Sequence, residues 1–234
     1  MAREPVLVDA LIGVSRRHGS PSHARAMAVL AHLTRQSKNC HHLVFKHTSL
    51  LPTLQSATGS ADREAVRYAF CALQNLSVDK SCRAPIAHTA GVIRSLTDRL
   101  RRGPEDVRRD DDDDGGEDAD KCDAETRLAV AGTLQNLSDE PANLIQFTIV
   151  KDCIGTIARV ANEDAESGAG TDLTQFMAKN ALASLSHWFR KIATSGTERI
   201  TSTGGFPPGG ASPGAGGRAP IEARLAPTTY EQWE

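Results

Sequence analysis

Apolar residues recur along this chain at intervals of three and four, the spacing of one face of a helix. Four stretches close on nearly the same letters: AVLAHLT at 28–34, CALQNLS at 71–77, GTLQNLS at 132–138 and NALASLS at 180–186. Their aligned leucines, Leu30, Leu73, Leu134 and Leu182, lie 43, 61 and 48 residues apart. The two longer intervals hold visible inserts, an acidic run and NEDAESGAGTD at 162–172. Without those inserts the period is regular, and a regular period is the mark of a repeated structural unit.

The register holds downstream. Nine residues past each motif's final Ser or Thr stand Leu43, Ile86 and Phe147; sixteen past it stand Leu50, Ile93 and Ile154. APIAHTAGVIRSLTDRL at 84–100 matches NLIQFTIVKDCIGTIARVA at 143–161, with Gly91 placed to end one helix and begin another. Each unit therefore reads as a short helix, a second helix and a longer third helix that ends in the Asn-Leu-Ser motif. Leu73 and Leu76, like Leu134 and Leu137, fall three apart on one core-facing stripe. Ser77 and Ser138 stand where the helix stops, where a hydroxyl can bond a free backbone group. A helix trio cannot bury its apolar face alone, so each unit must offer the same leucines to its neighbours.

The pattern EAVRYAFCALQNLS…I…AGVIRSL resembles the armadillo repeat, over about residues 5–195, with the HEAT repeat as nearest competitor. VLVDALIGV at 6–14 is similar to the second helix of a unit without its start, and LTQFMAKNALASLSHWFRKI at 173–192 to a last third helix. The resemblance implies an all-α fold: a right-handed α-solenoid of about three to four three-helix repeats over 1–195. A disordered acidic insert at 101–123 and a loop at 162–172 interrupt it, and a Gly/Pro-rich disordered tail follows at 196–234.

The resemblance also points to a binding surface. Third helices of armadillo arrays line a groove, and an Asn at the position of Asn75 and Asn136 commonly grips an extended peptide. A carboxamide suits this because it both donates and accepts. The competing reading has each Asn bond a neighbouring turn's backbone and hold repeat spacing. One turn earlier stand Cys71 and Gly132; the matching pairs are Ala28 with His32 in unit one and Asn180 with Ser184 in unit four. Importin-like arrays carry Trp at that earlier position. Its absence here argues against a nuclear transport adaptor. Arg25, Arg67, Tyr68 and Arg127 continue the face and would make it positive to neutral, which favours an acidic partner segment unless the arginines are simply solvated.

Charge adds one feature. Residues 110–123 hold nine acids and one lysine, a local charge of −8, which leaves +6 on the rest of a chain whose net charge is −2. Such a block repels itself, so an unstructured solubilising loop is expected; a sharper reading is that it folds back over the basic groove. It lacks the alternating ligands and terminal Glu of a calcium loop.

Aromatic residues make up 4% of the chain, which suits helix packing better than a β-sandwich. No apolar run reaches membrane-spanning length, and MAREPVLVDALIGV does not read as a signal peptide. The cysteines at 40, 71, 82, 122 and 153 are odd in number and form no C-x-x-C pair, so reduced thiols in a cytoplasmic setting are expected, with nuclear or ciliary sites as alternatives. Cys40, His41, His42 and His47 lack finger spacing for zinc. Asp9, His18 and Ser20 lack the surroundings of a catalytic triad, and no phosphate-binding glycine loop is present. No cofactor, metal or nucleic-acid partner is expected. In the tail, Ile221, Leu225, Tyr230 and Trp233 stand in an otherwise polar stretch, as in docking peptides. The resulting expectation is a non-catalytic adaptor that holds an extended, acidic protein segment. The alternative is a structural subunit that associates through its ends within a cytoskeletal, ciliary or membrane-associated complex.

Overall fold

A computed structural model of the chain describes residues 5–102, 117–163 and 169–202, with side chains for 6–102, 123–163 and 173–194. The described residues form eleven α-helices and one 3-10 turn, with no strand among them. In chain order these are α1 (Pro5–Ser15), α2 (His23–Thr34), α3 (Ser37–Lys46), α4 (Leu50–Ala57), α5 (Arg63–Val78), α6 (Lys80–His88), α7 (Val92–Arg101) and α8 (Glu117–Ser138). The turn Pro141–Asn143 follows, then α9 (Leu144–Ile149), α10 (Cys153–Ala161) and α11 (Ala169–Ser202). None is long and apolar enough to cross a membrane. Residues up to Ser195 cluster as one compact unit, to which the following description applies.

Local chemistry sets the helix boundaries. Asp62 caps α5 by accepting from the Ala65 amide at 3.1 Å, and Asp79 caps α6 by accepting from the Ser81 amide at 2.9 Å. Gly91 precedes α7 with φ 86°, the left-handed corner that glycine adopts at no steric cost. Asp152 takes the same conformation, φ 60°, at the matching position before α10. Asp is one of the few residues that tolerate it.

The order short, short, long runs through α3–α4–α5, α6–α7–α8 and then the 3-10 turn with α9, α10 and α11. Matching helices pack on one another: α2 on α5 and α5 on α8, α3 on α6, and α7 on α10. The motif leucines fill the seams. Leu30, Leu73, Leu76, Leu134, Leu137 and Leu185 are all fully buried, and each contributes roughly 2 kcal/mol of apolar transfer. Leu43, Ile86, Phe147, Leu50 and Ile93 are buried as well, whereas Leu182 and Ile154 are half-buried.

Helix boundaries fall inside some stretches read from sequence as loop. α8 begins at Glu117, within the expected insert 101–123, and Asp123 makes an ion pair with Arg99 of α7. A charge run does not show where its last carboxylates find a cation. α11 likewise begins at Ala169, inside the expected loop, and continues to Ser202. Residues 103–116, 164–168 and 203–234, with most of the insert and the tail's apolar positions, lie outside the described residues.

Candidate functional site: the third-helix face

The third helices of the units are α2, α5, α8 and α11, and their motif residues meet across the stack. Asn75 donates from Nδ2 to the Ala31 carbonyl at 3.3 Å and to Thr34 Oγ1 at 3.2 Å. Asn136 donates from Nδ2 to Ser77 Oγ at 3.0 Å. The accepting hydroxyls are themselves fixed. Thr34, Ser77 and Ser138 each donate to the carbonyl three residues back, of Ala31, Gln74 and Gln135, at 2.7 Å. In the last unit Ser184 replaces the Asn and donates to Asp139 Oδ1 at 2.7 Å. The motif asparagine thus ties its own helix to the hydroxyl that ends the previous one.

A second tie of this kind escaped the sequence reading. Asn39 and Asn143 stand five residues past the motif's Thr34 and Ser138, and their Nδ2 groups donate to Leu33 O at 3.2 Å and Leu137 O at 3.0 Å. Their common register was the available signal. It was obscured because Cys82 occupies the position in the middle unit, where Arg83 Nε donates to Ser77 O at 3.0 Å instead.

The arginines expected to make this face basic have internal partners. Arg67 pairs with Glu64 at 2.9 Å and Glu125 at 3.1 Å, and lies over the Tyr68 ring. Arg127 is buried and pairs with Glu163 at 2.7 Å. Arg67 thus links α5 to α8, Arg127 links α8 to a residue just past α10, and neither is a source of net positive charge. Arg25 and His32, on α2, are exposed, as is Arg35 just past the helix end.

The row one turn before the asparagines is made of small residues. Ala28, Cys71 and Asn180 are half-buried there, and Gly132 is buried. A Cβ on Gly132 would stand 2.6 Å from Gln74 Nε2 and 3.2 Å from Met177 Sδ, so side chains from α5 and α11 lie directly over this glycine. On α11 the face turns apolar. Leu173 is 46% exposed and Phe176 58% exposed, in the registers that hold Glu64 and Arg67 on α5.

The described thiols divide by environment. Cys40 and Cys153 are buried, and burial raises both pKa values; the charge of Asp79 adds to the effect at Cys40. Cys82 is pushed up to about 12 by burial first and Asp79 second. Cys71, on the third-helix face, is half-buried. The residues weighed for zinc have separate partners: Cys40 donates to Thr34 O, His41 contacts Ser81 and His47 contacts Asp9. His18 contacts Ser56, so Asp9 and His18 have different partners.

No protein-family model matches the chain, and no curated protein sequence matches it.

Proposed function

We propose that this chain is a short armadillo-type α-solenoid, a non-catalytic adaptor that binds an extended segment of a partner protein along its third-helix face. The exposure of Leu173 and Phe176 on that face supports the reading most directly. Bulky apolar side chains side by side on one helix, at positions that hold Glu64 and Arg67 on α5 and Glu125 and Leu128 on α8, suit contact with another chain better than contact with water. Of the small row beside them, Cys71 and Asn180 are half-buried and leave room for a backbone to approach, whereas Gly132 is covered by Gln74 and Met177. The internal pairing of Arg67 and Arg127 removes the reason to expect a partner acidic along its whole length.

A random dodecapeptide library displayed on phage and selected against the full chain tests this. Clones should be retained by the wild type and lost on Phe176→Ser and Asn180→Trp proteins whose melting curves are unchanged. Clones indifferent to both substitutions would remove the third-helix face as the working surface.

A second reading, association through one end, rests on Val29. Its register matches Ala72, Thr133 and Ala181, all fully buried, yet Val29 is 42% exposed. At the other end, Lys179, Ser186 and Arg190 of α11 are exposed and polar, as in a capping repeat. Such asymmetry would favour a closed dimer over a polymer.

A further inference from the structure

The four third helices do not offer the same chemistry, and the difference runs in one direction. On α2 and at its end the exposed ionisable side chains, Arg25, His32 and Arg35, include no acid. On α5 and α8 charge is balanced, since Arg67 meets Glu64 and Glu125, and Asp139 lies 3.8 Å from Arg83. On α11 the registers of Glu64 and Arg67 hold Leu173 and Phe176. The order along the stack is fixed by contacts already described: Asn75 reaches α2 from α5, Asn136 reaches α5 from α8, and Gly132 of α8 lies against Met177 of α11.

Resting on the reading of this face as a docking surface, we infer that the segment it takes has chemically distinct ends. Carboxylates at one end lie over α2, and a bulky apolar side chain at the other lies beside Phe176. Charge complementarity places the acidic end, because the exposed cations of α2 have no acid on their own helix, whereas on α5 Arg63 and Arg67 stand among Asp62, Glu64 and Glu125, which would repel a further carboxylate. Apolar contact places the other end, because Leu173 and Phe176 gain from leaving water. Neighbouring helix axes lie about 8–10 Å apart, so α2 and α11 are separated by roughly 24–30 Å. An extended chain covers that distance in about seven to nine residues at ~3.3 Å each. The recognised pattern is therefore an acidic pair, a spacer of roughly six residues, and Leu, Ile, Met or Phe.

The same dodecapeptide library provides the test, read at the level of consensus. Clones that depend on Phe176 should carry Asp or Glu at one end and a bulky apolar residue about eight positions away, always in the same chain direction. A synthetic peptide of that consensus should lose about tenfold in affinity on the Arg25→Glu/Arg35→Glu protein, and its wild-type affinity should fall as salt is raised from about 50 to 500 mM. It should also lose about tenfold on Phe176→Ser. Clones that need Phe176 but show no acidic end, or ignore the Arg25/Arg35 substitutions, would overturn this polarity while leaving the docking surface in place. Clones that ignore Phe176 and Asn180 as well would overturn both.

Discussion

Asn136 and Ser77, 59 residues apart in sequence, are joined by a 3.0 Å hydrogen bond from the carboxamide of one motif to the hydroxyl of the one before it. Asn75 and Thr34 repeat the arrangement one unit earlier. This is why the letters Gln-Asn-Leu-Ser recur: the Asn of each copy needs the hydroxyl of the last, and the leucines on either side need the same depth. Asn136→Ala should lower stability by about 1–2 kcal/mol in urea unfolding. Because Ser77 also bonds Gln74 O, Ser77→Ala should cost a similar amount, and the double mutant should cost less than their sum by about 0.5–1.5 kcal/mol. Strict additivity would mean that the two side chains do not interact.

Gly132 should resist enlargement beyond a methyl. Both neighbours, Gln74 Nε2 and Met177 Sδ, belong to flexible side chains, so Gly132→Ala is expected to be near neutral, their displacement offsetting a helix-propensity gain of about 1 kcal/mol. Gly132→Leu must displace both and is expected to cost about 1–3 kcal/mol in thermal or urea unfolding, part of which Gln74→Ala should recover. A Gly132→Leu protein as stable as wild type would show that the third helices are less closely packed at this point.

Alkylation should discriminate among the described thiols. The thiolate is the reactive form, and at about pH 8.5 a thiol with a pKa of about 12 is less than about a thousandth ionised. In native protein treated with iodoacetamide, peptide mass mapping should find Cys71 modified well before Cys40, Cys82 and Cys153. The same shift fixes a pH dependence. In the folded chain Cys82 keeps its proton up to about pH 12, whereas in the unfolded chain it ionises near its ordinary value of 9.0. A folded-state pKa raised above the unfolded value makes the effect of Cys82 on stability constant below about pH 9. As pH rises from about 9 towards 12, the unfolded chain gives up a proton that the folded chain keeps, and stability falls. The alkaline fall in urea midpoint should be shallower in Cys82→Ala than in wild type.

The ion pairs of the two arginines should differ in weight. Arg127 and Glu163 have 10% and 30% side-chain exposure, so Glu163→Gln leaves a mostly buried guanidinium short of a counter-charge and should cost about 1–3 kcal/mol. Arg67 and Glu125 are more open, and Glu125→Gln should cost about 0.5 kcal/mol, a difference that fades in roughly 0.5 M salt. Equal effects from both substitutions, measured by urea midpoint, would contradict the burial difference.

The helical order was largely legible because period and register are written in apolar residues: Leu73, Leu134, Leu43 and Ile86 each sit where the spacing put them. Gly91 was legible because few residues suit its turn, whereas Asp152 in the same conformation was not read as a corner. The partners of the two arginines were not legible. Arg67 and Arg127 fall one register apart, and their acids Glu125 and Glu163 lie 58 and 36 residues further on and are found only once the helices are packed. The apolar end of the face was missed for a related reason. Leu173 and Phe176 fit a helical core pattern in sequence, and only their exposure sets them apart from Leu185.

The central claim is that the third-helix face, and not the ends of the stack, is the working surface. Light scattering of the full chain across a concentration series tests it most directly, since working ends must associate. A constant mass near 25.0 kDa, one chain, is expected from low to high micromolar concentration. A mass that climbs with concentration, to a plateau at twice that value or beyond, would contradict it and move the function to the ends.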